Sequence, residues 1–270
     1  MNRPIMFTTA LVITTYNRPD ALDVVLESVK AQTMLPDEIL IADDGSGKET
    51  EELINSWKKD RTIGHLIRHI WQPDEGFRPG AIRNKSIAAS TCDYIILIDG
   101  DMMLHKKFIE DHKRVIRPGY VVNGSRVKLT PEITERICSL HKSKPIGFLS
   151  RGISNGRTKA LRWRFLSKLF LDNFKPHSYY AISCNLAFWR KDAIAVNGFD
   201  ETFKGWGHED SDFVFRMSRI GIKKCDLRYA AIQFHLYHSH RGNGLENLAI
   251  LKKRNSEGII KAVKGIDQYL

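Results

Sequence analysis

Runs of apolar residues alternate with amphipathic stretches along the first hundred positions. Thr9-Ala-Leu-Val-Ile-Thr14, Glu38-Ile-Leu-Ile-Ala42 and Tyr94-Ile-Ile-Leu-Ile98 each hold a short, unbroken apolar run rich in β-branched residues. Such runs predict strands covered on both faces. Between them, Leu22, Val25, Leu26 and Val29 recur at helical spacing, so a helix is expected over Ala21 to about Gln32, capped by Asp20. Further helices are expected over Glu49–Lys59 and Arg83–Ala89, with a short strand at His69–Trp71. Strands alternating with helices imply parallel βαβ units and an α/β class. Beyond residue 102, a helix is expected over Phe108 to about Ile116. Strands are expected over Tyr120–Ser125 and Tyr180–Phe188, the second with Ser183 and Asn185 toward a cleft. Arg190–Asp192 should begin a helix that ends near Gly198, and the last twenty residues read as a helix with Ile259, Val263, Ile266 and Leu270 on one face.

Each buried run ends in a polar loop. The loops lie at residues 14–18, 43–46 and 99–101, and parallel strands bring them to one sheet edge. Ligands of open α/β sheets bind at that carboxyl edge. In Asp99-Gly100-Asp101, strand alternation would aim both carboxylates at one point. Two hard oxygen donors suit Mg²⁺ or Mn²⁺, particularly one carrying phosphate oxygens. A polar Asp-Gly turn is the alternative. Neither GxGxxG nor GxxxxGK[ST] is present.

Composition narrows the classes. The 270 residues are 42% hydrophobic and 27% charged, as in a globular protein, and the net charge of +11 favours an anionic partner. No apolar run is long enough for a transmembrane helix, and Met1–Phe7 lacks a signal-peptide pattern, so a cytoplasmic setting is expected. Cys92, Cys138, Cys184 and Cys225 are scattered and read as reduced packing cysteines. Residues 142–168 hold Lys142, Lys144, Arg151, Arg157, Lys159, Arg162, Arg164 and Lys168 without an acid, interleaved with Phe148, Trp163 and Phe165 and followed by Phe170. That pattern suits a membrane face or a lipid-linked or phosphorylated acceptor, with a solvated basic loop as the alternative. No nucleic-acid-binding motif accompanies it, so nucleic acid is not expected as a partner.

Three of these stretches resemble family-2 glycosyltransferases of the GT-A fold: Thr14-Thr-Tyr-Asn-Arg-Pro19, Ile41-Ala-Asp-Asp-Gly-Ser46 and Ile98-Asp-Gly-Asp101. The resemblance implies a UDP-sugar donor, with Thr14, Tyr16 and Asp44 at the base and Arg18 in the same donor loop. It places Asp99 and Asp101 at the ribose and the metal–diphosphate. An aromatic ring offers a stacking face, and a carboxylate can accept the imide N–H of uracil. Gly76 to Asn84 resembles the family's G-x-x-x-A-R-N element and makes Arg83 a donor-site candidate. Gly100 departs from the pattern, since the central residue there is often larger.

In the second half, Gly205-Trp-Gly-His-Glu-Asp-Ser-Asp212 resembles the G-W-G-x-E-D-x-D element of galactosyltransferase-like regions, also found in bacterial chondroitin-type polymerases. It implies Asp210 as catalytic base, Glu209 as acceptor ligand and Trp206 as acceptor platform. Glu209 and Asp210 also open a predicted helix, whose N-terminus favours ionised carboxylates. A histidine metal ligand is expected in Ile232–Asn243. His235 and His238 both fit, His238 being slightly favoured, while His240 and Arg241 are candidates to neutralise diphosphate. The expectation is one GT-A domain. Residues 1–102 would bind donor, 103–243 acceptor with a basic insertion at 142–175, and 244–270 would form a helical tail. The implied reaction is metal-dependent, inverting transfer of a hexose or N-acetylhexosamine to a saccharide acceptor, in surface polysaccharide or lipopolysaccharide synthesis. A sugar-nucleotide nucleotidyltransferase would need a glycine-rich, lysine-bearing loop near the start, which is absent. A non-catalytic carbohydrate-binding protein would keep Trp206 without needing Asp210.

Overall fold

The computed structural model describes residues 7–141, 146–172, 180–239 and 244–270. The first half runs β1 (Thr9–Thr15), α1 (Pro19–Lys30), β2 (Glu38–Asp43), α2 (Lys48–Trp57), β3 (Ile67–Trp71), α3 (Pro79–Ala89) and β4 (Tyr94–Asp99). There follow β5 (Met102–Leu104), α4 (Phe108–Val115), β6 (Tyr120–Asn123), β7 (Val127–Leu129), α5 (Pro131–Ser139), β8 (Ile153–Asn155) and α6 (Arg164–Asp172). The remainder comprises β9 (Leu186–Trp189), α7 (Arg190–Ala195), α8 (Glu209–Arg219), β10 (Lys223–Asp226), β11 (Gln233–His235) and α9 (Leu245–Ser256).

A seven-stranded sheet has the order β10-β6-β9-β4-β1-β2-β3. It is parallel except for β9, which runs antiparallel to β4 and β6. Alternate residues of β1 enter two separate cores: Leu11 and Ile13 on one face, Ala10 and Val12 on the other. This is the sheet covered on both sides that the continuous apolar runs predict. Leu22, Val25, Leu26 and Val29 of α1 fill the first core and are fully buried. Each contributes about 1.5–3 kcal/mol by leaving water. Ile82 and Ile87 of α3 join Phe213, Val214 and Met217 of α8 on the other face. A smaller sheet, β5-β11-β7-β8, lies beyond the ends of these strands.

Register carries the sheet pattern to the polar edge. Thr14 of β1 pairs with Asp99 of β4, and Thr15 pairs with Asp43 of β2. The loops at residues 14–18, 43–46 and 99–101 are therefore neighbours, as parallel pairing requires. Gly100 explains its departure from the usual pattern. Its N–H donates to the Thr14 carbonyl at 2.7 Å, and a Cβ there would lie 3.0 Å from the Thr15 side chain.

Several local expectations change. Asp20 does not cap α1: Pro19 starts the helix and Arg18 is the N-cap. Pro79 likewise starts α3 well before Arg83, because proline's fixed φ suits a first helical position and its missing N–H costs nothing there. The strand expected from Tyr180 begins only at Leu186, after a 3₁₀ turn at Ser183–Asn185. Asn185 does not face a cleft. Its amide is buried, bonded to His112 and to the carbonyls of Ser125 and Ala231. Gly198 does sit beyond α7 with φ +67° and donates to the Ala193 carbonyl, as a helix terminator should.

The chain end is not one helix. α9 stops at Ser256 before Gly258, whose φ is +68°. The residues beyond it dock on the loop after α7, through Ala262 to Val196, Val263 to Asp200 and Ile266 to Asn197. Ile266 is buried while Val263 is 72% exposed, so the expected single apolar face does not form. The basic insertion is partly structural too. Arg162 makes a two-pronged bond to buried Asp111, at 2.9 and 2.6 Å, and is not available to a partner. Lys142, Lys144, His240 and Arg241 and the side chain of Phe170 lie outside the described residues. All four cysteines are buried thiols. No helix among the described residues is long and apolar enough to cross a membrane.

Candidate active site

A cavity of about 360 Å³ opens at the carboxyl edge of the large sheet. Thr14, Tyr16, Arg18, Asp44, Arg83, Asp99 and Asp101 line it from the first half. Trp206, Glu209, Asp210, His235 and His238 line it from the second. These twelve side chains, singled out for donor, metal, acceptor or base, thus reach one space.

At one end, Asp44 is buried and accepts from Gln72 Nε2 at 2.5 Å and the Arg78 N–H at 2.8 Å. Burial raises its pKa despite those donors. Tyr16 Oη donates to Asp74 at 2.9 Å, which fixes the ring beside the loop. Asp43, next to Asp44, turns away. It accepts from the Ser46 N–H and meets His69 at 2.9 Å, holding the turn in place.

At the sheet edge the two acids of Asp99-Gly100-Asp101 part company. Asp99 ends β4, and its Oδ1 lies 3.5 Å from Arg83. Asp101 stands past Gly100 in a turn, so strand alternation no longer governs it. Its Oδ2 lies 3.4 Å from both His235 Nε2 and His238 Nε2, and 3.9 Å from Arg18. Ligand atoms of Asp101, His235 and His238 all fall within 4.8 Å of one another. The His238 ring donates from Nδ1 to the Ser239 carbonyl at 2.7 Å, which leaves Nε2 as the ring nitrogen turned toward Asp101. Asp101 Oδ1 is buried without a hydrogen-bond partner among the described residues. Burial would raise the Asp101 pKa, but His235, His238 and Arg18 outweigh it and hold the carboxyl below its usual range. One ionised carboxylate and two imidazoles, with the second Asp101 oxygen left unsatisfied, fit a divalent cation such as Mn²⁺.

Arg83 joins the two halves. Its buried guanidinium donates to Glu209 Oε1 at 2.8 Å while facing Asp99. Glu209 Oε2 is buried and lacks a partner among the described residues. Glu209 opens α8, so this pair ties the start of α8 to the edge of the large sheet.

Asp210 follows on the same first turn. Its Oδ2 accepts from the Ser183 N–H at 3.0 Å and its Oδ1 from the Ser211 N–H at 2.7 Å. The helix N-terminus does not keep this carboxyl strongly acidic, contrary to expectation. Burial, reinforced by the Glu209 charge, pushes its pKa up to about 7. A carboxylate tuned near neutral pH is suited to taking a proton. Trp206 is 47% exposed between Gly205 and Gly207, both at positive φ, and its ring forms part of the cavity wall. Gly244 packs on it, since a Cβ there would meet the Trp206 carbonyl at 3.1 Å and its ring at 3.3 Å.

Sequence reasoning missed Arg126, Lys128 and Tyr180, which also line the cavity. The signal for the first two was the alternation Arg126-Val127-Lys128-Leu129, a short half-buried strand. Asp212, by contrast, belongs to a buried ion network with Arg216 and Arg254 behind the site.

The comparisons bear on the family and the fold. The profile described as glycosyl transferase family 2 matches residues 10–194, and one described as the N-terminal domain of galactosyltransferase matches residues 167–239. Hyaluronan synthase of Pasteurella multocida is 27% identical over 228 residues, covering 78% of this chain and 23% of that protein. Chondroitin synthase of Escherichia coli is 26% identical over 226 residues, covering 78% of this chain and 32% of its own length. Validoxylamine A glucosyltransferase of Streptomyces hygroscopicus subsp. limoneus is 26% identical over 227 residues, covering 79% and 48%. The chain therefore spans between about a quarter and a half of the length of these relatives. Among solved structures, S. aureus TarS 1–349 in complex with UDP-GlcNAc superposes with a TM-score of 0.64 at 14% identity, covering 97% of this chain and 69% of that one. The mannosyltransferase PcManGT from Pyrobaculum calidifontis, in complex with GDP-Man and Mn²⁺, gives 0.60 at 12% identity, covering 94% and 63%. Those likenesses establish the fold, which is of the GT-A type. With its sheet, its edge loops and more than half its length matching one profile, the chain belongs to glycosyl transferase family 2.

Proposed function

We propose that the chain transfers a hexose or N-acetylhexosamine from a UDP-sugar to a saccharide or lipid-linked acceptor, inverting the anomeric centre. The carrying observation is that the Asp101 cluster and Asp210 share one cavity. In this reading the 270 residues act as one transferase domain. Tyr16 offers a ring face to the base, and Asp44, with Thr14 beside it, accepts the uracil imide N–H. Asp99 faces the ribose, while Arg18 and Arg83 supply positive charge toward the diphosphate. Asp101, His235 and His238 hold a divalent cation, Mn²⁺ or Mg²⁺. When bound, that ion offsets the charge developing on the departing nucleotide.

Trp206 receives the apolar face of the acceptor sugar, and Glu209 accepts from one of its hydroxyls through the unpartnered Oε2. Asp210 then takes the proton of the attacking hydroxyl at a carboxylate oxygen. With the base on the acceptor side, attack comes from the face opposite the leaving group, and a single displacement inverts configuration.

A setting at the cytoplasmic membrane surface, in surface polysaccharide or lipopolysaccharide synthesis, accords with the outer face of α6. Arg164, Phe165 and Lys168 are exposed there, Phe165 by 67%, with Trp163 just before. Each such basic residue adds about 1 kcal/mol beside anionic lipid.

Nucleotide release from a panel of UDP- and GDP-sugars, with Mn²⁺, Mg²⁺ or chelator, tests the reading. Turnover of a UDP-sugar that stops on chelation is expected. Absence of turnover across the panel, or turnover indifferent to chelator, contradicts it.

A further inference from the structure

We infer that Arg126 and Lys128 form an oxyanion subsite, for a phosphate or carboxylate group, on the cavity wall beside His235. The inference rests on the transfer reading above and adds a ligand chemistry to it. β7 and β11 run parallel, with Val127 opposite Phe234 and Lys128 opposite His235. Side chains alternate across strands, so paired residues share a face. Val127, Leu129 and Phe234 enter the small sheet's apolar core. Lys128 and His235 face the other way, toward the cavity, and Arg126, two residues before Lys128, lines it as well.

Among the described residues neither charge on this wall has an ion-pair partner, although the Asp99 and Asp101 charges act on Arg126 from farther off. Arg18 faces Asp101, and Arg83 is bonded to Glu209. Among the described residues no carboxylate oxygen lies within 4.0 Å of a charged nitrogen of Arg126 or Lys128. The side-chain hydrogen bond of Arg126 goes to Cys184 Sγ at 3.5 Å. Burial, with Asp99 nearby, pushes that thiol up to about 12, so it stays neutral and supplies no counter-charge. The closest acids are otherwise engaged, Asp99 with Arg83 and Asp101 with the two histidines. Two like charges facing a partly enclosed space repel, and an oxyanion between them turns that repulsion into charge-assisted hydrogen bonds. The oxyanion can come from the donor diphosphate or from an acidic group on the acceptor.

Lys128→Gln and Arg126→Gln separate the two sources. UDP binding with Mn²⁺ is followed by calorimetry. Glucuronate and glucose binding, with UDP present, are followed by saturation-transfer NMR. The inference expects at least a tenfold loss for UDP, which identifies the diphosphate, or for glucuronate but not glucose, which identifies an acceptor acid. Lys128→Arg should restore the affinity that Lys128→Gln loses. If the parent binds UDP or glucuronate and both Gln variants match it within twofold, the subsite is overturned while the transfer reading stands. A parent that binds neither probe overturns the transfer reading and the subsite with it.

Discussion

Asp210→Asn should lower sugar transfer by about 10²–10⁴-fold, the usual share of a general base, while leaving UDP affinity within twofold. The amide keeps the size of the carboxylate and can still accept from the Ser183 N–H, but it cannot take a proton. Asp210 lies on the first turn of α8 and accepts from the Ser183 and Ser211 N–H groups, not from a residue of the nucleotide loops, so its loss should not disturb nucleotide contacts. The pH profile of the parent supplies a second signature. With the Asp210 pKa raised to about 7, the carboxyl is protonated below that pH and cannot act as base. Transfer should therefore rise tenfold per unit as pH increases toward about 7 and level off above it. The variant's residual rate should lack this limb. Transfer kinetics across pH 5–9 check both points, and a variant with parental rates would place the base elsewhere.

Arg83→Met should cost about 3–5 kcal/mol of stability, the penalty for stripping one partner from a buried ion pair. Arg83 is 4% exposed and Glu209 8%, so water cannot take over the role of the guanidinium. At roughly 2–4 °C per kcal/mol for a chain near this size, the melting temperature should fall by on the order of 10 °C. The chemistry should respond as well. Arg83 opposes the rise in the Asp210 pKa, so its removal should push the activity limb to higher pH. Arg83→Met with Glu209→Leu should recover part of the lost stability, because no buried carboxylate is then stranded without a donor. Thermal denaturation of the parent and both variants decides this. A single variant that melts within 2 °C of the parent would show that the pair does not clamp α8 to the sheet edge.

The parts of the molecule readable from sequence are those governed by local pattern. The continuous apolar runs of β1, β2 and β4 demanded cover on both faces, and parallel pairing then forced their polar loops together. The acidic start of α8 and its glycine-flanked tryptophan were readable for the same reason. What escaped was set by distant contacts. The turn at Ser183–Asn185 exists because the Asn185 amide bonds His112, Ser125 and Ala231, which lie far away in sequence. The apolar spacing of Ile259, Val263 and Ile266 looked helical, yet Gly265 lies against Asn197 so closely that a Cβ would overlap its carbonyl oxygen, 1.9 Å away. Asp99 and Asp101 were expected to converge by strand alternation. The chain turns at Gly100 instead, sending one acid to Arg83 and the other to His235 and His238. β7 is three residues long, too brief for its alternation to stand out, and Arg126 and Lys128 went unnoticed with it.

Calorimetry of UDP binding with and without Mn²⁺, in the parent and in Asp101→Ala, asks most directly whether a cation gripped by Asp101, His235 and His238 shares the nucleotide's cavity. The parent should bind UDP at least tenfold more tightly with Mn²⁺, and Asp101→Ala should lose that gain while keeping its metal-free affinity. UDP affinity unchanged by Mn²⁺ in the parent, or enhanced equally in both proteins, would contradict the convergence on which the proposed chemistry stands.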